Sequence, residues 1–455
     1  MNERLTKFKD YIRGKRVALL GMGISNRAAV DFLLSAGAVL SARDQNPNPS
    51  DEITAFLRTR GVKMIYGADY LCDITEDVIF KSPGIRCDIP ALAEAAVRGT
   101  VITSEMEVFT AVCPCKMFAV TGSDGKTTTT TLVSEMLKRS GARVYLGGNI
   151  GTPLLPYVEE MRPEDFAVLE LSSFQLHTMK TAPVSAIVTN ITPNHLNWHL
   201  SMEEYVESKK NIYALQDESC RLVLNAANEI TASMAEESAA PVTFFSSRGA
   251  CPGAAHSCTY ENGVIFYDGA RVMAREDIKL VGMHNVENYM AAICAVWGYA
   301  KREDMLAVAR SFGGVAHRIE LICERDGVKY YNSSIDTSPT RTLAALASFE
   351  EKLVVIVGGY DKHIPIEPLI APLAEKAKFV VATGDTGLAV LQSLRAHGYP
   401  VQRTAYIGSF DGAVRFAMST AERGDTVLLS PAAASFDAFP NFEARGNRFR
   451  ALVNG

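Results

Sequence analysis

The chain has 455 residues, of which 47% are hydrophobic and 21% are charged, and its formal net charge at pH 7 is −5. This composition predicts a globular protein of about three domains, and the acidic excess argues against nucleic acid or an anionic membrane surface as a partner. No N-terminal secretory signal is visible, and no apolar run approaches the roughly 20 residues that span a bilayer. The nine cysteines are scattered and odd in number, and they form no complete zinc-binding pattern. We therefore expect a cytoplasmic protein.

Apolar strands alternate with amphipathic helices along the whole chain, which predicts an α/β protein with parallel sheets. We divide the chain into three domains, at residues 1–106, 107–314 and 315–455. The first and third are expected to be Rossmann-like, and the second is expected to resemble a phosphate-loop ATPase with a mostly parallel sheet. The clearest strands of the third domain are predicted at 353–357, 379–382 and 426–429.

The first domain begins with a predicted strand at 16–20, followed by a glycine turn into a helix. The turn resembles a Rossmann fingerprint, but Asn26 stands where the third glycine is usual. A second strand, at 39–42, leads to Asp44, where a carboxylate can accept a hydrogen bond from a ribose hydroxyl. A second turn, around Ser82, is expected to face the same crevice. The alternative is a βαβ unit whose glycines only permit close packing, and the sequence leaves both interpretations open.

The second domain opens with a predicted strand at 117–120, a glycine turn and a helix at 127–139. The turn reads Gly-x-x-Gly-Lys-Thr, a short form of the phosphate-binding loop, because Val120 stands where the longer pattern needs glycine. Backbone N–H groups and the helix N-terminus attract an anion there, while Lys126 reaches the terminal phosphates and Thr127 holds Mg²⁺. The alternative is a helix-capping turn whose lysine faces solvent.

Polar residues follow the other predicted strands of this domain. Asn149 lies between glycines in a loop, and Glu170 ends a strand at 166–169, where a carboxylate beside a phosphate loop is expected to contact Mg²⁺. A strand at 186–189 leads to His195, which is predicted to belong to the site. Lys209 and Lys210 follow on a helix that starts near Ser201, and their spacing alone does not distinguish them from solvated lysines.

Several segments taken together resemble the Mur ligase family over all three domains. These are the phosphate loop, Gly-Gly-Asn149-Ile-Gly, Leu-Glu170-Leu-Ser172-Ser-Phe-Gln-Leu, Asn-His195, Gly-Met-His-Asn285-Val-Glu-Asn288, His-Arg318, Gly-Gly-Tyr-Asp-Lys362, Ser-Pro-Ala-Ala-Ala-Ser435-Phe436-Asp and Asn-Phe442-Glu-x-Arg-Gly. The segments around Ser172 and Ser435 are the most specific. They favour the D-glutamate-adding branch of the family.

The resemblance implies an ATP-driven amide ligase in the synthesis of the peptidoglycan precursor. ATP would phosphorylate the carboxylate of UDP-N-acetylmuramoyl-L-alanine, and the amine of D-glutamate would attack the acyl phosphate. Such chemistry requires stabilisation of charge more than a covalent nucleophile. The implied cofactors are ATP and Mg²⁺, and we expect a monomer without membrane insertion.

The resemblance also assigns roles to individual residues. The catalytic residues would be Lys126, Glu170, His195 and Lys209. The Mg²⁺ ligands would be Thr127, Glu170, His195 and Lys209, the last as a carbamate. ATP would be bound by Gly122, Ser123, Asp124, Gly125, Lys126, Thr127, Thr128, Asn285, Asn288 and Arg318. The UDP end of the substrate would contact Ile24, Ser25, Asp44, Gln45 and Ser82, and its muramoyl part Asn149 and Ser172. D-Glutamate would be bound by Thr337, Lys362, Ser435, Phe436 and Phe442.

The chain departs from the family pattern at two places. After a strand of the third domain, Ser333 stands where the family often has an aspartate that contacts the nucleotide, and Ile335 stands at the position of a common lysine. Asp336 is a candidate to compensate, and a changed ATP affinity is one expected consequence. Asn197 replaces an aspartate that frequently follows the histidine, which removes a negative charge near a metal.

Three alternatives to a D-glutamate ligase stay open. The first is a sibling ligase or a folylpolyglutamate synthase with another acceptor, against which the segment ending at Ser435 argues. The second is a non-catalytic nucleotide-binding relative, which the departures at Ser333, Ile335 and Asn197 motivate. The third is a simple phosphate-loop ATPase or kinase whose turnover requires no amino acid.

Overall fold

The computed structural model describes residues 2–249, 251 and 253–455. The chain forms two compact units. The first unit contains the residues up to Arg275 together with Val286–Val308, and the second contains Glu276–Asn285 together with Ala309–Gly455. Two β-sheets belong to the first unit and one to the second.

The first sheet is five-stranded, parallel throughout and ordered β3-β2-β1-β4-β5. Its strands are β1 (Arg16–Leu20), β2 (Val39–Asp44), β3 (Lys63–Tyr66), β4 (Val78–Lys81) and β5 (Val101–Thr103). The helices of this region are α1 (Glu3–Ile12), α2 (Ile24–Ser35), α3 (Asp51–Thr59), α4 (Pro90–Val97) and α5 (Glu105–Val112). The chain order reverses at β1, so the loops after β1 and β4 flank the crevice in which open α/β sheets bind ligands.

The second sheet has nine strands in the order β14-β13-β12-β11-β10-β9-β6-β8-β7. Its strands are β6 (Lys116–Thr121), β7 (Val144–Gly148), β8 (Phe166–Glu170), β9 (Ser185–Val188), β10 (Arg221–Asn225), β11 (Val242–Ser246), β12 (His256–Glu261), β13 (Val264–Tyr267) and β14 (Ala270–Ala274). Only the pairs β12–β13 and β13–β14 are antiparallel. The helices from here to the third sheet are α6 (Lys126–Arg139), α7 (Ser173–Leu176), α8 (Met202–Lys210), α9 (Glu229–Ser233), α10 (Met283–Val296) and α11 (Arg302–Ser311).

Strand β6 lies in the interior of the second sheet, third from one edge. It pairs in parallel with β8 on one side and β9 on the other, with Val120 opposite both Glu170 and Ile187. Because the carboxyl ends of parallel strands lie at the same edge, the loops after these three strands emerge side by side. The sheet therefore brings together three segments that are far apart in sequence.

The third sheet is ordered β15-β16-β20-β17-β18-β19, and only β15 and β16 pair antiparallel. Its strands are β15 (Glu320–Arg325), β16 (Val328–Asn332), β17 (Leu353–Val357), β18 (Ala377–Ala382), β19 (Thr404–Tyr406) and β20 (Thr426–Leu429). The remaining helices are α12 (Pro339–Ala347), α13 (Glu367–Lys376), α14 (Gly384–Ala396), α15 (Phe410–Thr420) and α16 (Phe442–Asn454).

Strand β17 illustrates that helices cover both faces of this sheet. All five of its residues are buried. Val355 and Val357 belong to the core formed with α12, α13 and α14, while Val354 and Ile356 belong to the core formed with α15 and α16. An uninterrupted apolar run is what a parallel strand buried on both sides requires.

The predicted fold class is confirmed: the protein is mixed α/β with three mostly parallel sheets. The strands predicted at 16–20, 353–357 and 426–429 coincide with β1, β17 and β20. The domain bounds at 106 and 314 stay predictions, because the compact units divide the chain differently. None of the described helices combines the length and the apolar character needed to cross a bilayer.

Candidate active site

The phosphate loop needs its two glycines for steric reasons. Gly122 and Gly125 have φ angles of +146° and +77°, which side chains rarely tolerate. A Cβ on Gly122 would lie 1.9 Å from Thr189 Oγ1, and one on Gly125 would lie 2.3 Å from Asn288 Oδ1. Neighbouring side chains therefore occupy the space that any other residue would need, and Asn288, predicted to bind ATP, lies against the loop.

The segment after β9 holds the loop in shape. The Ser123 N–H donates to the carbonyl of Asn190 (2.8 Å), and the Asp124 N–H donates to Asn190 Oδ1 (2.9 Å). Thr189 Oγ1 donates to the carbonyl of Asp124 (2.6 Å), and the hydroxyls of Ser123 and Tyr205 lie 2.9 Å apart. The loop is thus fixed by hydrogen bonds before any ligand binds, which lowers the entropic cost of binding.

Lys126 is the first residue of α6, so its amine lies at the N-terminus of that helix. Nζ donates to the carbonyls of Gly122 (3.0 Å) and Ser123 (2.9 Å). Thr127 and Thr128 follow on the first turn, Thr127 partly exposed and Thr128 buried. A cation, a helix N-terminus and a glycine turn at one place form a site that attracts phosphate.

Glu170 ends β8 next to the loop and is 1% exposed. Its Oε1 accepts a hydrogen bond from Asn149 Nδ2 (2.8 Å), and its backbone carbonyl accepts one from the Asn149 N–H (2.8 Å). Within the described part of the chain, the buried Oε2 has no hydrogen-bond partner. A buried carboxylate oxygen without a partner is costly, so this atom suits a cation or a ligand proton. Ser172, which caps α7 two residues later, hydrogen-bonds to Gln175.

Lys209 has a buried side chain on α8, only 2% exposed. Its Nζ donates to the carbonyl of Gly122 (2.7 Å) and lies 4.7 Å from the ring centroid of Tyr205. Burial, and then the positive charge of Lys126, lower the pKa of Lys209 well below its ordinary value. A lower pKa increases the fraction of neutral amine, which is the form that reacts with CO₂ in the predicted carbamate.

His195 follows β9 with a positive φ angle of 56°. Its ring packs edge-on against Phe174, with the centroids 4.9 Å apart. Desolvation of the packed part of the ring, and then the charges of Lys126 and Lys209, lower the pKa of His195. The imidazole is therefore neutral at pH 7, which is the form that binds a metal ion.

The structure thus brings Lys126, Glu170, His195 and Lys209 to one end of the second sheet, where their charges influence one another. Among the described residues, no three His, Cys, Asp or Glu side chains converge as a ready metal site. Lys209 carries an amine here, so only Glu170 and His195 supply ligand groups of those types. The predicted metal roles stay predictions.

The first sheet shows the close packing that the sequence offered as one alternative, and the nucleotide-binding alternative stays a prediction. Asp44 Oδ2 accepts from the Met22 N–H (2.6 Å), and Ser82 Oγ donates to the carbonyl of Gly21 (2.9 Å). A Cβ on Gly21 would lie 2.6 Å from Ser82 Oγ, so this glycine does permit close packing. Asn26 Nδ2 donates to the carbonyls of Leu20, Gly21 and Phe80, near the ends of β1 and β4. These bonds explain an asparagine where the Rossmann fingerprint has its third glycine. Ile24, Ser25 and Gln45 lie at the same edge, with Ile24 69% exposed; their substrate roles stay predictions.

Sequence reasoning missed the residues that join the first sheet to the loop carrying His195. Arg86 pairs with Glu204 (Nη2 to Oε1, 2.8 Å), and its guanidinium lies 4.9 Å from the ring centroid of Trp198. Trp198 Nε1 donates to the carbonyl of Gly84 (2.9 Å). Arg86 and Glu204 are 118 residues apart, and no local pattern marks such a pair.

In the second unit, the residues predicted to bind D-glutamate lie at the carboxyl edge of the third sheet. Thr337 follows β16, Lys362 follows β17, and Ser435 and Phe436 follow β20, while Phe442 begins α16. Ser435 is buried, whereas Phe436 is 61% exposed and its ring lies 5.8 Å from that of Tyr360. The structure brings these residues to one edge, and their binding roles stay predictions.

The two remaining residues predicted to bind ATP also lie in the second unit. Asn285 donates from Nδ2 to the carbonyl of Val281 (2.7 Å). Arg318 follows His317, whose φ angle is +64° and whose ring lies 6.1 Å from that of Phe442.

Arg445 was also missed as a contributor to this edge. Its buried guanidinium donates to Ser334 Oγ (3.0 Å) and to the carbonyls of Ser334 (2.9 Å), Ala433 (3.1 Å) and Ala434 (2.9 Å). These bonds link the loops after β16 and β20. Burial lowers the pKa of Arg445 to about 10, so it stays charged at pH 7.

Comparisons with known proteins agree with this arrangement along the chain. Residues 15–104 match the Mur ligase MurD-like N-terminal domain, residues 120–296 the Mur ligase middle domain, and residues 317–433 the Mur ligase glutamate ligase domain. The chain is 47% identical to the UDP-N-acetylmuramoylalanine–D-glutamate ligase of Clostridium novyi (strain NT), with 100% of both chains covered. It is 45% identical to the ligase of the same name from Acetivibrio thermocellus, covering 100% of this chain and 99% of the relative.

Solved structures show the same fold at lower sequence identity. The UDP-N-acetylmuramate–alanine ligase MurC of Thermotoga maritima is 20% identical, with a TM-score of 0.59 over 97% of this chain and 99% of that chain. A pseudomurein peptide ligase type C from Methanothermus fervidus is 17% identical, with a TM-score of 0.52 over 97% and 99%. The domain matches and the full-length relatives together show that this chain belongs to the Mur ligase family and has a MurD-like N-terminal domain.

Proposed function

We propose that the chain is an ATP-dependent ligase that joins D-glutamate to UDP-N-acetylmuramoyl-L-alanine in peptidoglycan precursor synthesis. The observation that carries this proposal is the 47% identity over the whole chain to a relative named for that reaction. The preorganised phosphate loop supplies the site that such a reaction needs. A cytoplasmic, monomeric enzyme is part of the same proposal.

The first step forms an acyl phosphate. A carboxylate oxygen of the alanyl group attacks the γ-phosphorus of ATP, the bond between that phosphorus and the β,γ-bridging oxygen breaks, and ADP leaves. Lys126, the first residue of α6, and the N–H groups at the start of that helix are proposed to stabilise the charge on the transferring phosphoryl group. Lys126 would exchange its bonds to Gly122 and Ser123 for bonds to the phosphates.

The second step forms the amide. The amine of D-glutamate attacks the acyl carbon, the tetrahedral intermediate expels inorganic phosphate, and the amine loses a proton. Thr337, Lys362, Ser435, Phe436 and Phe442 are proposed to hold D-glutamate, because a cation and backbone donors suit its two carboxylates. Asn149 and Ser172 are proposed to orient the muramoyl part.

Thr127, Glu170, His195 and Lys209 are proposed to hold Mg²⁺. The unpartnered Oε2 of Glu170 and the neutral imidazole of His195 fit this role. Lys209 fits it after its amine has added to CO₂ with loss of a proton, which gives an anionic carbamate. When bound, Mg²⁺ neutralises phosphate charge. Asn285, Asn288 and Arg318 are proposed to bind the rest of ATP, and Ile24, Ser25, Asp44, Gln45 and Ser82 the UDP group.

Phosphate release with a panel of amino acids tests the proposal. In the presence of ATP, Mg²⁺ and UDP-N-acetylmuramoyl-L-alanine, release should require D-glutamate and should fail with L-alanine, L-lysine and diaminopimelate. Release that follows one of these other acceptors would establish a sibling ligase, and release without any amino acid would establish a simple ATPase. No release under any condition would favour a non-catalytic relative.

A variant pair ties the activity to the phosphate loop. Lys126→Ala should reduce D-glutamate-dependent turnover by at least about a hundredfold, because a charged group that stabilises the transferring phosphoryl is lost. Lys138→Ala changes the same residue type on the same helix, where the amine pairs with Glu135 on the surface (2.8 Å). It should leave turnover unchanged, and equal activity in the two variants would contradict the proposed role of the loop.

A further inference from the structure

Asp336 is a buried carboxylate that none of the roles above uses. It is 5% exposed and follows β16 at the carboxyl edge of the third sheet. Its Oδ2 accepts a hydrogen bond from Ser430 Oγ (2.7 Å), and its backbone N–H donates to the carbonyl of Ser333 (2.9 Å). Burial raises the pKa of Asp336 to about 6 against the opposing effect of these two serines, so the group is ionised at pH 8.

One side of this network leads to the segment that carries Arg318. Ser333 Oγ accepts a hydrogen bond from the Ile319 N–H (3.2 Å), and the Ile335 N–H donates to the carbonyl of His317 (3.1 Å). The residues before and after Arg318 are therefore attached to the loop that contains Asp336. Displacement of this loop would displace the backbone on both sides of the guanidinium-bearing residue.

The other side leads to the loop after β20. Ser430 is the first residue of that loop, and its Oγ also lies 2.9 Å from Thr342 Oγ1 on α12. The loop continues to Ser435, which is proposed to contact D-glutamate. Asn332 and Leu429, the last residues of β16 and β20, are paired in the sheet. Asp336, which follows β16, is thus joined to the end of the adjacent strand β20 through the Ser430 hydroxyl.

Three cations interact electrostatically with the carboxylate. Burial raises the pKa of Asp336, and the charges of Arg318 and Arg341 oppose this rise; burial lowers the pKa of Arg445, and the charge of Asp336 is one of two that oppose this fall. Arg341 Nη1 donates to the carbonyl of Ile335 (2.9 Å), and Arg445 donates to Ser334. A neutral side chain of the same shape would satisfy packing at less desolvation cost, so the charge itself requires an explanation.

We propose that Asp336 is a positioning residue whose negative charge fixes the Arg318 segment and the loop at 430–435 in one geometry, so that the nucleotide and acceptor contacts form together. The proposal rests on the proposed ligase function, from which it takes the roles of Arg318 and Ser435. It extends that function with a residue that acts through the segments of Arg318 and Ser435.

Steady-state phosphate release at pH 8 tests the proposal when ATP and D-glutamate are varied separately. Asp336→Asn should raise the KM for each by at least about tenfold, as expected when a charge-assisted hydrogen bond is lost, while kcat changes little because the loss falls on binding. Asp326→Asn is the matched control, since Asp326 is 92% exposed in the same sheet's β15–β16 hairpin. It should leave both KM values unchanged.

An exchange variant asks whether the charge or its exact position matters. In Ser333→Asp/Asp336→Ser, the carboxylate moves to position 333, whose side chain already accepts from the Ile319 N–H, and a hydroxyl replaces the carboxylate at position 336. Both KM values should return to within about threefold of wild type, because the charged hydrogen bonds are restored. A folded exchange variant as impaired as Asp336→Asn would overturn the proposal.

The remaining outcomes also decide the question. Wild-type KM values in Asp336→Asn, or an increase for only one substrate, would refute the coupling. If Asp336→Asn does not fold, Ser430→Ala removes one donor to the carboxylate and must raise both KM values; unchanged values would refute the proposal. If wild type responds to another amino acid instead, the assignment of D-glutamate as the acceptor fails, and the same comparison with that other acceptor still tests Asp336.

Discussion

Replacing Gly125 by alanine separates backbone strain from damage to the phosphate loop. Gly125 has a φ angle of +77° and immediately precedes α6, and its missing Cβ would lie 2.3 Å from Asn288 Oδ1. Gly141, just after the other end of the same helix, has a φ angle of +91°, and no heavy atom lies within 4 Å of the position that a Cβ would take there. Both positions therefore have a positive φ angle that disfavours alanine, but only Gly125 has a neighbouring side chain where the alanine Cβ would lie.

The expected free-energy changes follow from this difference. Alanine in the left-handed region costs about 1–2 kcal/mol at either position. Gly125→Ala must also displace Asn288, whose Oδ1 lies 3.2 Å from its donor Thr129 Oγ1, and this lost hydrogen bond adds about 1 kcal/mol. Gly125→Ala should thus be destabilised by about 2–3 kcal/mol, against about 1–2 kcal/mol for Gly141→Ala.

Urea unfolding and the KM for ATP measure the two effects. Gly141→Ala should lose stability but keep the KM for ATP of wild type. Gly125→Ala should raise that KM by at least about tenfold, since the loop N–H groups move away from the phosphates. Equal KM values in the two variants would refute the argument that the loop's shape, rather than general stability, determines nucleotide binding.

Three further predictions concern buried charged groups. Lys209→Ala should lower turnover by about a hundredfold or more, as expected when a charged group at a reacting centre is lost, whereas Lys210→Ala, whose amine pairs with Glu207 and Glu237, should leave turnover unchanged. Glu170→Gln keeps an acceptor for Asn149 but removes the charge, so the Mg²⁺ concentration for half-maximal activity should rise about tenfold or more; an unchanged Mg²⁺ dependence would exclude Glu170 as a ligand. Burial raises the pKa of Glu105 to about 7 from 4.5, so the folded protein binds this proton more tightly and the free energy of unfolding should fall by up to about 3 kcal/mol between pH 4.5 and 7. Glu105→Gln should flatten this slope in urea titrations, and Glu135→Gln on the surface should not.

The strands and the phosphate loop could be predicted because their signals are local. A parallel strand buried on both faces must be an apolar run, as in β17, and a glycine turn before a helix marks an anion site. The order of strands in a sheet carries no such local signal. Strand β6 lies between β8 and β9, and only that placement shows that Glu170 and His195 flank the loop.

The spacing of Lys209 and Lys210 could not show which of the two side chains is buried. Neighbouring residues on a helix point about 100° apart, so one of the two can face the core while the other faces solvent. The two lysines are adjacent and share their surroundings in the sequence, so these give no local signal. The residues that contact Lys209 are far away in the chain, such as Gly122, 87 residues before it. Apart from the family resemblance, only tertiary packing distinguishes them, and the pair of Arg86 and Glu204 was missed because its partners are also far apart in sequence.

The carbonyl of Gly122 connects these observations. It accepts hydrogen bonds from Lys126 Nζ (3.0 Å) and from Lys209 Nζ (2.7 Å). Burial, and then repulsion by the positive charge of Lys126, lower the pKa of Lys209, since a second ammonium group at the same oxygen would be repelled by the first. An anion relieves this repulsion whether it arrives as the phosphates of ATP beside Lys126 or forms as a carbamate on Lys209. We therefore expect the loop to be more stable with an anion beside Lys126 or on Lys209 than with two positive charges alone. This preference for an anion is what the proposed ligase site requires.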